Sequence, residues 1–201
     1  MDVQCLEEKI ENISGVLSTS KEIYKEINEA SIITTAVGPL ILPKIAVTIA
    51  DGIKERREKN TDEYLNIIAC ENAVNASSQL KDEVMKYLNE KELEYLDKYV
   101  GFPNCSVDRI VPPVKSENIL DVVVENFHEW NVEKTAFKGE IPNIEGMNLV
   151  DNLVAYIERK LFTLNTGHAI TAYFGYLKGY KTIDESINDD KIYNFVRKAM
   201  I

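Results

Sequence analysis

Lys160, Asn165 and His168 lie in the segment ERKLFTLNTGHAI (Glu158–Ile170), among Leu161, Phe162, Leu164, Ala169 and Ile170. At about 100° per residue, Asn165 falls about 60° from His168, and Lys160 about 80° from it on the other side. The three polar groups then share an arc of roughly 140° on a helix that is otherwise apolar. Polar groups so placed must hydrogen-bond to one another or face a polar cavity. Each has a plainer account alone. A lysine snorkels to solvent, a histidine is satisfied in a core, an asparagine caps or kinks, and Gly167 lets helices approach. Together they are harder to dismiss, because a charged lysine withdrawn from water costs several kcal/mol unless it is neutral or paired.

A neutral lysine is the base that alcohol oxidation needs. A lysine withdrawn from water loses its proton more readily, and can then take a hydroxyl proton while hydride leaves the carbon. An asparagine amide can donate to the oxygen as negative charge develops on it, and a histidine can orient neighbouring hydroxyls. The scheme requires no metal, and the sequence offers no convincing ligand set for one.

The elements around this segment divide the chain. Ser20 caps a helix reading KEIYKEINEA, with Ile23, Ile27 and Ala30 at helical spacing. SIITTAV (Ser31–Val37) is β-branched and apolar throughout, as in a strand covered on both faces. Gly38-Pro39 ends it and opens a second helix, which runs out in the charged stretch Asp51–Asn60. Leu65–Cys70 is the next strand, and Glu71-Asn72 leads into a helix through Leu80, Val84 and Leu88. Alternation at this pitch predicts a parallel α/β sheet. Ligands bind beyond the carboxyl ends of such strands, which puts TTAVGP (Thr34–Pro39) and ACEN (Ala69–Asn72) at a binding edge. No GxGxxG is present, so the usual pyrophosphate turn is not in this chain.

After Gly101 the texture changes. CSVDRIVPP (Cys105–Pro113) reads as a short strand and ILDVVVENFHEW (Ile119–Trp130) as a second. A loop containing FKGEIPNIEG follows, and from Asn148 onward the pattern is helical, with helices apolar around much of their circumference that belong inside a helical domain.

The bulk numbers exclude several function classes. A net charge of −10 argues against a nucleic-acid partner, while leaving room for an anionic small molecule held by a few local cations. Ile32–Ala50, the longest apolar candidate for a membrane span, is broken by Gly38, Pro39, Pro43 and Lys44. The acidic start MDVQCLEEKIEN lacks the layout of a signal peptide. Cys5, Cys70 and Cys105 form no CxxC pair and read as buried thiols in a reducing cytoplasm.

The spacing K-x4-N-x2-H (Lys160, Asn165, His168) resembles the signature of the polyol-specific long-chain dehydrogenases. The longer string KLFTLNTGHAITAYFGYLKGYKTI (Lys160–Ile183) is similar to their mannitol-1-phosphate 5-dehydrogenase branch. The likeness continues in TTAVGP, IIACENAVNASSQLK (Ile67–Lys81), VDRIVPP (Val107–Pro113) and FKGEIPNIEGM (Phe137–Met147), in the family's order over almost the whole chain.

The resemblance implies a Rossmann-like parallel α/β sheet followed by a mainly α-helical domain, and NAD-dependent interconversion of D-mannitol 1-phosphate and D-fructose 6-phosphate. It makes Lys160 the general acid/base, Asn165 and Asn72 the oxyanion hole, and His168 a holder of substrate and lysine. Thr34, Thr35, Ala36, Val37 and Gly38, with Asn72, would lie beside the nicotinamide ribose of NAD. Asn72 has the plainer account of an N-cap, and Gly38-Pro39 that of a strand-ending turn. Arg109 and Lys138 are candidates for the substrate phosphate, although Arg109 also suits a structural ion pair and Lys138 a solvated loop. Against the family's pattern, residues 1–103 read as the later part of the nucleotide-binding domain and 104–201 as the first part of the catalytic domain. Such a piece is expected to self-associate where the full-length family is monomeric. Two other readings stay open: an inactive product of a truncated frame, and a related enzyme using an unphosphorylated polyol or a sugar acid.

Overall fold

The computed structural model describes residues 9–112 and 116–201; Cys5 and the end of the VDRIVPP stretch lie outside them. The chain begins with α1 (Glu22–Glu29), β1 (Ile32–Thr35), a 3₁₀ turn at Pro39–Ile41, α2 (Leu42–Glu58) and β2 (Leu65–Ala69). Then come α3 (Ala76–Met85), α4 (Glu90–Tyr99) and β3 (Val100–Gly101). β1 and β3 flank β2, both parallel to it, with Ile33 opposite Ile67 and Leu65 opposite Val100. Every residue of β2 is buried. Its alternating side chains serve two cores, as the two-residue period of a strand requires. Leu65, Ile67 and Ala69 join Ile49, Ile53, Leu80 and Val84 from the helices, and Ile68 points the other way to Cys105 and Val132. The expected parallel α/β sheet is the fold observed.

A second sheet covers that other face. β4 (Cys105–Asp108) pairs antiparallel with β5 (Glu129–Glu133), and β5 pairs parallel with β6 (Met147–Val150). The strand expected at Ile119–Trp130 is mostly absent, since only Glu129 and Trp130 of it enter β5. Ile119, Leu120 and Val122 are exposed. β propensity is a fit to a half-buried pleated surface, and among the described residues no strand lies opposite this stretch. β6, in turn, occupies residues read as the start of a helix. The helix begins at Leu153, where the Asn152 side chain accepts from the Ala155 N–H as its cap.

The helical part runs through α5 (Leu153–Lys160), a π turn at Leu161–Asn165, α6 (Thr166–Lys178), α7 (Ile183–Ile187) and α8 (Asp190–Ala199). The face of α6 that packs is its small-residue face of Gly167, Thr171 and Gly175. A Cβ at Gly175 would come within 1.9 Å of Ser186 Oγ, so α7 lies too close for any side chain there. Tyr173, Tyr176 and Leu177 stand exposed on the opposite side, so α6 is not enclosed as its apolar circumference predicts. No helix among the described residues is long and apolar enough to cross a membrane.

Candidate active site

The carboxyl ends of β1 and β2 are joined by one carboxylate. Glu71, 8% exposed, accepts from Thr35 Oγ1 at 2.8 Å, from the Val37 N–H at 2.9 Å and from the Gly38 N–H at 2.8 Å. Gly38 has φ +91°, a backbone that favours glycine, and an added Cβ there would meet nothing within 4 Å. The stretch Thr34–Gly38 is thus a fixed shelf. Thr35 is buried under it, and Thr34, Ala36 and Val37 are exposed along it. Nothing in the sequence singles out Glu71: an acid after a buried strand carries no signal that it folds back onto the neighbouring strand.

Asn72 follows directly and is exposed. It is not the cap of α3: that position is held by Asn75, in the left-handed conformation and without a side-chain capping bond. Asn72 instead lines a cavity of about 150 Å³ with Glu71, Ser106, Val107, Lys160 and Asn165. Lys160, half-buried at the end of α5, donates from Nζ to the Val107 carbonyl at 2.6 Å. One N–H of the amine is thereby fixed to β4, leaving its remaining valences for the cavity. Arg159, the neighbouring cation, turns away to pair with Glu129.

The structure brings Asn72, Lys160 and Asn165 together and places His168 elsewhere. His168 opens onto an adjoining, mostly apolar cavity of about 570 Å³, with Ile110, Thr171, Tyr193, Arg197 and Met200 among its walls. Arg197, on α8, is a cation near His168 that spacing along the chain does not reveal. Arg109 is exposed beyond β4 and donates from Nε to the Glu125 carbonyl at 3.2 Å. Lys138 sits toward the amino end of β2. Its N–H donates to Asn66 Oδ1 at 2.8 Å, and its carbonyl accepts from Asn66 Nδ2 at 3.1 Å.

Fold and site together define a protein class: a Rossmann-type α/β sheet whose carboxyl edge meets a lysine- and asparagine-bearing helix. The chain belongs to the mannitol dehydrogenase family, whose Rossmann-domain model matches residues 2–146 and whose C-terminal-domain model matches residues 152–201. Among solved structures it is similar to Pseudomonas fluorescens mannitol 2-dehydrogenase in a ternary complex with NAD and D-mannitol, at 19% identity and TM-score 0.76, over 90% of this chain and 45% of that one. It is also similar to a D-sorbitol dehydrogenase in substrate-free form, at 18% identity and TM-score 0.75, over 88% of this chain and 45% of that one. The chain therefore spans a little under half the length of these two proteins.

Proposed function

We propose that the chain carries the acid/base centre of an NAD-dependent polyol dehydrogenase whose substrate pair is D-mannitol 1-phosphate and D-fructose 6-phosphate. The observation that supports this reading most is the meeting of Asn72, Lys160 and Asn165 on one cavity, at the sheet edge where α/β folds bind ligands. Lys160 takes the hydroxyl proton as the alcohol becomes a ketone and returns it in the reverse direction. The Val107 carbonyl holds the amine in place through one N–H. The amides of Asn72 and Asn165 donate to the substrate oxygen as its charge grows. His168, one α-turn beyond Asn165, orients the substrate's other hydroxyls from the adjoining cavity.

The shelf Thr34–Gly38 fits the nicotinamide end of NAD, because open space at Gly38 and the exposed Thr34, Ala36 and Val37 admit a flat ring and ribose. NAD, when bound, supplies the hydride acceptor. Asn72 stands beside the shelf and serves both cofactor and substrate. The phosphate reading rests on the wording of Lys160–Ile183 and on cations at the His168 side. Arg109 precedes Ile110, which lines that cavity with Arg197.

The test is kinetic. NADH formation is followed at 340 nm with mannitol 1-phosphate, mannitol, sorbitol and a hexuronate reduction product as substrates, and fructose 6-phosphate reduction is followed in reverse. The expected outcome is a kcat/KM for the phosphate ester well above that for any unphosphorylated polyol. A preference for free mannitol or sorbitol overturns the phosphate assignment, and no turnover of any of them overturns the dehydrogenase assignment.

A further inference from the structure

Two thiols meet beside the Lys160 cavity, with Cys105 in its wall and Cys70 behind it, and the mechanism above does not use them. Cys70 follows β2 and is half-buried, and Cys105 opens β4 and is 6% exposed. Their sulfurs lie 4.0 Å apart, with the Cys105 thiol directed at Cys70 Sγ and, at 3.3 Å, at the Ala69 carbonyl. Trp130 of β5 and Cys70 both pack against the small core that contains Cys105, and the buried indole N–H of Trp130 has no hydrogen-bond partner. An orphaned buried donor beside a sulfur suits a negative charge on that sulfur. Cys70 keeps part of its own surface exposed, and the cavity reaches the pair at Cys105, one of its lining residues.

We propose that Cys70 and Cys105 form a hydroperoxide-reactive thiol pair, in which Cys70 is oxidised first and Cys105 resolves it as a reversible disulfide. The Cys70 thiolate attacks one oxygen of the hydroperoxide. An S–O bond forms, the O–O bond breaks, and the alcohol or water leaves with a proton. Sulfur is oxidised to the sulfenic acid and the peroxide is reduced. The Cys105 sulfur then attacks Cys70 sulfur; an S–S bond forms, the S–O bond breaks, and the hydroxyl leaves as water with the Cys105 proton. The sulfurs need to close from 4.0 Å to the bonded distance of about 2 Å.

The order of events follows from the environments. The hydrogen bond from Cys105 holds the Cys70 thiol below its ordinary range, against the opposing effects of burial and of the Glu71 carboxylate. The same hydrogen bond, together with burial, pushes the Cys105 thiol up. The thiolate is the nucleophile, so the half-exposed Cys70 reacts and the buried Cys105 waits. Cys70 is covalently continuous with Glu71-Asn72, and Cys105 stands two residues before Val107, whose carbonyl holds Lys160. A cross-link here draws on the strands that carry Asn72 and the lysine's anchor, a consequence for turnover that rests on the proposed function.

The test uses the reduced full chain carrying Cys5→Ser, treated with stoichiometric hydrogen peroxide. The expected result is loss of both remaining thiols, a non-reducing peptide map joining Cys70 to Cys105 within one chain, and quenching of the fluorescence of Trp130, the one tryptophan present. Dithiothreitol should reverse all three. In Cys105→Ser, dimedone should trap a sulfenic acid on Cys70. In Cys70→Ser, Cys105 should survive the same dose. Survival of both thiols in the Cys5→Ser chain, or cross-links only between chains, overturns the pair even if neither further variant folds. Equal oxidation of Cys105 without Cys70 overturns the order. None of these readouts depends on turnover, so failure of the dehydrogenase reading and failure of the thiol pair are separately visible.

Discussion

Lys160 and Asn165, five residues apart, face the same cavity because the chain between them is a π turn. On a regular α-helix residues five apart point about 140° from each other, at the two edges of the arc. A π turn joins residues five apart by its hydrogen bonds and so brings them to one face. The Thr166 N–H donates to the Leu161 carbonyl, and Thr166 Oγ1 donates to the same oxygen at 2.7 Å.

Thr166 is therefore expected to act through Lys160 and Asn165. Thr166→Val keeps the shape and removes the hydroxyl donor, a change of about 1 kcal/mol. If that loosening is felt in the transition state, kcat falls about fivefold with KM little altered, and Thr166→Ser restores it. Steady-state kinetics of the three proteins check this; equal loss in the Val and Ser variants contradicts it.

Lys160→Ala should lower kcat by roughly 10²–10⁴, the range of a lost general base, while leaving NAD affinity unchanged. Added primary amines should recover part of the rate. Turnover and a fluorescence titration with NADH decide it, and near-normal turnover would remove Lys160 from the acid/base role.

Glu71→Gln tests the shelf. An amide replaces one accepting oxygen by a donor, which then opposes the Val37 or Gly38 N–H. A hydrogen bond to a charged group contributes about 1.5 kcal/mol or more. If that loss falls on cofactor binding, KM for NAD rises roughly tenfold with kcat less affected. A variant whose KM for NAD is unchanged while kcat collapses would show that Glu71 serves the chemistry and not the shelf.

What the sequence makes legible follows physical reach. β2 announces itself because a strand covered on both faces must be largely apolar, and Ile67 and Ile68 do serve opposite cores, whereas β1 is legible by its β-branched residues although Thr34 is exposed. The residues of the Asn72 cavity are legible by type, yet the π turn that aligns Lys160 with Asn165 is invisible to a wheel drawn at a fixed angle. For the same reason that wheel joins His168 to them, whereas it opens onto the next cavity. β6 is hidden because four residues next to a helix carry too little pattern to separate from it.

Arg56 is the plainest case of a residue whose type misleads. It lies in the charged end of a helix, yet it is fully buried. Its guanidinium donates to the carbonyls of Ile27 at 2.9 Å, Asn28 at 2.5 Å and Ala30 at 3.1 Å, closing the end of α1, and to the backbone carbonyl of Glu63 at 2.9 Å. Arg56→Met leaves those carbonyls buried without donors and should destabilise the fold by roughly 3 kcal/mol or more. Urea unfolding measures it; a change near zero would mean that water replaces the guanidinium.

Asp189 gives a pH dependence with a fixed sign. It caps α8 by accepting from the Lys191 and Ile192 N–H groups at 2.9 and 3.1 Å, and it also accepts from Lys178 Nζ at 2.6 Å and Tyr180 Oη at 3.1 Å. The Lys178 ammonium first, and the Ile192 N–H next, hold its carboxyl well below the usual carboxylate range. A carboxylate whose folded pKa is depressed contributes stability that is present above its unfolded value of about 4 and is lost as pH falls toward the folded value. Asp189→Asn preserves a capping side chain and removes the charge, so the comparison isolates the ionic part. The urea midpoint of the native protein should exceed that of the variant at pH 7. The gap should narrow steadily once the pH falls below about 5. High salt should narrow it at pH 7 as well, since the carboxylate's partner Lys178 is exposed and screened. A gap that is the same at pH 7 and pH 3 would mean that the cap's geometry, and not its charge, ties α8 to the end of α6.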